Sequence, residues 1–92
     1  MMKLRLIYSR RLAKEVAERL RKIGLTGEQD KEVFLADMNN LSMPGILVEV
    51  LYFSNPQDRT FLSSPDFVNS VSRAFCDSIL ALRNVMKDEN AL

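Results

Sequence analysis

The densest apolar block along the chain is residues 46–51, where Ile46, Leu47, Val48, Val50 and Leu51 surround a single acidic residue, Glu49. Pro44-Gly45 precedes the block and Ser54-Asn55-Pro56 follows it. Its shortness, flanking breakers and valine/isoleucine content predict a strand covered on both faces. Residues 3–8 largely alternate polar and apolar, which predicts a short half-buried strand. The spacing then changes. From residue 10 to 23, Leu12, Ala13, Val16, Ala17, Leu20 and Ile23 recur at mostly three- and four-residue intervals. That stripe predicts a helix with Ser9 as N-cap and Gly24 as the residue that ends it.

Residues 25–30 read as a polar loop, residues 31–38 as either a short strand or a helical turn, and Asn39, Asn40 and Ser42 as the turn into the central strand. Beyond that strand, Asn55, Pro56 and Asp58 form a helix-start signal for a short helix to about Leu62. Ser64, Pro65 and Asp66 repeat the device. They open a final helix to about Met86 with Phe67, Val71, Ala74, Phe75, Leu82 and Val85 on one face. The expected fold class is therefore α/β: a partial sheet of two or three strands with flanking helices. So small a sheet leaves an unpaired edge and an uncovered face. Residues 1–92 then read as a single incomplete domain, a piece of a larger sheet, ending in a frayed polar tail at 87–92.

Bulk properties narrow the function classes. Ninety-two residues make one small domain, which buries only about 60 to 65% of its unfolded surface. The formal net charge of +1 gives no reason to expect a nucleic acid or other polyanion. Glutamates interleave with the basic residues of the first helix, so its charged side reads as a solvated face. No stretch has the length of a membrane span, and the N-terminus has no apolar leader core. A stand-alone chain is thus expected in the cytoplasm. The single Cys76 has no intramolecular partner and is expected to be a small buried residue. Histidine is absent from the sequence.

Glu49 is the candidate for chemistry. A carboxylate in a buried strand costs several kcal/mol when unpaired. It is tolerated when it pairs with a cation, binds a metal, or faces a cleft at a strand end. A purely structural role, pairing or capping an edge, stands beside the chemical one.

The segment resembles the C-terminal signature of the zinc-dependent N-acetylmuramoyl-L-alanine amidases, the amidase-3 family of cell-wall hydrolases. Pro44, Leu47, Val48, Glu49, Val50, Ser54 and Asn55 carry the likeness, with Asp58 and Leu62 beyond and Ser9, Leu12 and Ala13 upstream. The resemblance implies hydrolysis of the amide between N-acetylmuramic acid and L-alanine. It makes Glu49 the general acid/base and peptidoglycan the substrate once the missing N-terminal half is supplied. Family members are exported to the periplasm or cell wall and hold zinc with two histidines and a glutamate. This chain has no histidine, so the expectation is that it binds no zinc alone and does not hydrolyse peptidoglycan in isolation. Two departures touch the motif: Leu51 stands at the family's glycine and Tyr52 at its phenylalanine. Two arginines of the family are also missing, since 26–30 and 37–40 contain no basic residue. Three readings stand at this point. One is a severed amidase half; another is a non-catalytic relic or scaffold module that covers its open sheet as a homo-oligomer; the third is an unrelated small α/β domain.

Overall fold

The computed structural model describes residues 2–25 and 42–92. These hold three helices: α1 over Met2–Lys22, α2 over Pro56–Leu62 and α3 over Pro65–Asp88. Among the described residues there is no β-strand, so the expected α/β sheet is corrected to a helical architecture. The readings at 26–41 lie outside the described residues.

The first expected strand, residues 3–8, belongs to α1 instead. Tyr8, Leu12 and Val16 are buried one helical turn apart, and they meet Leu82 of α3 in the core. Tyr8 also donates its hydroxyl hydrogen bond to Glu89 Oε1 at 2.5 Å, beyond the end of α3. This long-range anchor extends the helical register to the N-terminus and overrides the local alternation, leaving Leu4 and Leu6 55% and 40% exposed. Ser9 consequently lies inside α1 rather than capping it. Its Oγ accepts the N–H of Gly45 at 3.0 Å.

The second expected strand, residues 46–51, keeps a two-residue rhythm without a sheet. Ile46 and Val48 pack on the core while Leu47 and Glu49 are exposed. Among the described residues only one face is covered. A strand needs a neighbour for its backbone groups; here the flanking N–H groups of Gly45 and Tyr52 are taken by the side chains of Ser9 and Asp58 instead.

The helix ends follow the sequence signals closely. Gly24, at φ +97°, closes α1: its N–H bonds Arg21 O at 3.0 Å and the Leu25 N–H bonds Leu20 O at 3.0 Å. Asn90, at φ 56°, closes α3 in the same way, with N–H bonds to Lys87 O and, from Ala91, to Met86 O. Asn55 and Ser64 cap α2 and α3 as expected. Along α3 the inner seam runs Ala74, Ser78, Leu82, and Ser78 is fully buried with its Oγ donating to Ala74 O at 2.7 Å. Small residues on that seam leave room for α1. Cys76 falls off the seam and is exposed, correcting its expected burial.

Candidate functional site

The site is built on residues 49–59, which are tied by side chains at nearly every step. Asn55 Oδ1 accepts the N–H groups of Gln57 at 2.9 Å and Asp58 at 3.3 Å, starting α2 with Pro56 in its first turn. The Asn55 N–H bonds Tyr52 O at 3.0 Å, closing the turn before the helix. Asp58 Oδ2 accepts the Tyr52 N–H at 2.9 Å. Arg59 donates to Phe53 O at 2.8 Å and sets its guanidinium 5.8 Å from the centroid of the Phe53 ring.

Glu49 stands at the edge of this loop. It is exposed, in contrast to the buried strand position expected from the apolar residues around it, because Ile46 and Val48 occupy the inward positions. Its desolvation cost is accordingly removed. The Tyr52 hydroxyl donates to Glu49 Oε2 at 3.3 Å. The i,i+3 spacing in the sequence is the signal for that contact, and reading Tyr52 only as a departure from the family's phenylalanine misses it.

Glu49 lines an open groove of about 580 Å³. Its floor and walls come from Val48 and Leu51 on one side and from Leu62, Phe67 and Val71 of α2 and α3 on the other. Phe67 and Val71, expected in the core, are half-buried here, and Phe67 packs on Phe61 with ring centroids 5.1 Å apart. The groove is mainly apolar, with the Glu49 carboxylate and the Tyr52 and Ser72 hydroxyls as its polar side-chain groups. This is the composition of a binding cleft with few orienting groups.

A zinc centre needs three protein ligands of suitable type. The sequence contains no histidine. Among the described residues no three of cysteine, aspartate and glutamate come together. The described residues therefore do not fit a zinc centre. No helix of the described residues is long and apolar enough to cross a membrane.

Comparison with known proteins places these features. The chain is 28% identical over 72 residues to an endolysin of Bacillus phage SPP1, a match that covers 78% of this chain and 27% of that protein. The chain thus spans about a quarter of the relative's length. No solved structure matches. The sequence model of the N-acetylmuramoyl-L-alanine amidases matches residues 3–81, taking in α1, the Glu49 loop, α2 and most of α3. With most of its length inside that match, the chain belongs to the N-acetylmuramoyl-L-alanine amidase family.

Proposed function

We propose that this chain is one part of a peptidoglycan amidase, in which Glu49 is the acid/base residue for cleaving the amide between N-acetylmuramic acid and L-alanine. The observation that supports the reading is the position of Glu49, an accessible carboxylate at the edge of an apolar groove inside the family match. The family's zinc is held, on this reading, by polypeptide outside these 92 residues. Glu49 Oε1, the oxygen not engaged by Tyr52, accepts the proton from the attacking water. Attack at the lactyl carbonyl carbon breaks the C–N bond, and the same carboxyl returns the proton to the departing nitrogen of L-alanine. Tyr52 is a positioning residue, since its hydroxyl donates to Oε2 at 3.3 Å and so favours one orientation of the carboxylate.

The absence of histidine favours a second reading, a binding or scaffold module without catalysis. Complementation separates the two. The chain alone, and the chain mixed with the histidine-bearing remainder of a family catalytic domain, are assayed for release of L-alanine amino groups from purified peptidoglycan. The catalytic reading predicts release only from the mixture, abolished by Glu49→Gln. A mixture that forms a complex yet releases nothing leaves the scaffold reading.

A further inference from the structure

The net charge of +1 conceals a strong segregation. Helix α1 carries eight basic and two acidic residues, whereas the rest of the chain carries five basic and ten acidic. The helix is therefore +6 and the remainder −5. The buried side of α1 is Tyr8, Leu12 and Val16. At 3.6 residues per turn, Lys14 lies diametrically opposite the midpoint of Leu12 and Val16. Arg10, Arg11, Lys14, Arg21 and Lys22 are all exposed along that outer side, interrupted by one acidic residue, Glu18. Residues 10 to 22 span about 18 Å of helix. Arg11 is engaged by Glu15 at 3.1 Å. Lys14, Arg21 and Lys22 make no ion pair among the described residues.

We infer that the outer face of α1 is a docking surface for an extended anionic phosphodiester polymer of the cell wall. A linear stripe of cations fits a chain of regularly spaced phosphates better than a single small anion, because the shallow depression at Ile7, Arg10, Arg11 and Lys14 encloses nothing. Among the described residues outside α1, four basic and six acidic side chains leave a net −2, so of the described elements α1 is the one that attracts a polyanion. The stripe holds no aromatic side chain on which a base could stack, which disfavours single-stranded nucleic acid. The choice of a wall polymer rests on the peptidoglycan reading above. In this arrangement α1 holds the chain at the wall while its inner side and α3 carry the Glu49 loop.

The test is binding of the full chain to fluorescent poly(glycerol phosphate), followed by anisotropy between about 50 and 200 mM salt. It needs no catalytic activity, so its failure and a failure of the amidase reading are separate results. The expected result is binding that weakens steeply with salt. Lys14→Glu with Arg21→Glu should weaken it by about tenfold or more and flatten the salt slope, by roughly 0.7 for each phosphate that is no longer neutralised. Arg73→Glu with Arg83→Glu, an equal charge change on exposed positions of α3, should leave affinity within about twofold. Helix content is checked by circular dichroism, and the neutral pair Lys14→Gln with Arg21→Gln serves if the reversed pair unfolds. No binding at low salt overturns the inference. So does equal weakening by the α1 and α3 pairs, or tighter binding to duplex DNA or to phosphatidylglycerol vesicles than to the polymer.

Discussion

Glu49 and Tyr52 form the unit on which the proposed chemistry turns, and the two side chains have separable roles. Glu49→Gln preserves size and an acceptor for the Tyr52 hydroxyl but removes the proton site. In the complemented enzyme it should lower kcat by about 10² to 10⁴. Because Glu49 is exposed, the same change should leave stability within about 0.5 kcal/mol, measured by urea unfolding. Tyr52→Phe removes one hydrogen bond of about 1 kcal/mol and should lower kcat by no more than about tenfold. The carboxylate itself was legible in the sequence from the Leu-Val-Glu motif. Its exposure was not, because five apolar neighbours do not reveal which of them face inward.

At the scale of elements, the local signals that survive are those with a short-range physical cause. Asn55, Ser64 and Gly24 cap or end helices because their own side chain or backbone freedom meets an unsatisfied terminal group, whatever the rest of the chain does. Gly24→Ala meets no atom within 4 Å yet forces a left-handed backbone, and should cost about 1 kcal/mol in chemical denaturation. Strand assignments failed where a distant contact decided the outcome. The alternation at 3–6 is real, but the stretch is helical, and from it Tyr8 packs in the core and bonds Glu89, a contact 81 residues away that no local pattern encodes. Likewise, Ser78 is polar in sequence and fully buried in the structure, its hydroxyl satisfied within its own helix. The packing of α1 on α3 also sets pH limits. The hydrogen bond to Glu89, then burial and the Glu89 charge, hold the Tyr8 phenol above its ordinary value of 10.0. The stability from that hydrogen bond is fully present below pH 10 and disappears as pH rises through the raised value. Thermal unfolding between pH 8 and 11 should show the decline, and Tyr8→Phe should flatten it. On the acid side, the Arg19 hydrogen bond chiefly holds Glu15 below its ordinary 4.5, against a smaller opposing effect of burial. That contribution is present above pH 4.5 and disappears as pH falls through the lowered value.

The described part of the molecule is thinly cored. Among the described residues five hydrophobic side chains are buried, while Leu47, Tyr52, Phe53, Leu62 and Val68 stand between 48% and 75% exposed on or near the groove. The chain spans 27% of its endolysin relative, and on the proposed reading this exposed apolar surface is where the rest of the amidase packs. Leu47→Ser with Phe53→Ser should change the stability of the isolated chain by about 0.5 kcal/mol or less, since neither contributes to its core. If the proposed reading holds, the pair should still weaken assembly with the histidine-bearing part of the amidase. Leu82→Ala, in the core itself, should cost about 2 to 4 kcal/mol and unfold the chain at modest urea.

The account rests most heavily on Glu49 acting only within a completed amidase. The most direct measurement is the rate of L-alanine amino-group release by equimolar chain and histidine-bearing remainder, with the unaltered chain and its Glu49→Gln variant compared side by side. The prediction is turnover with Glu49, a drop of about 10² or more with Glu49→Gln, and none from either piece alone. Equal turnover with and without the carboxylate would contradict it.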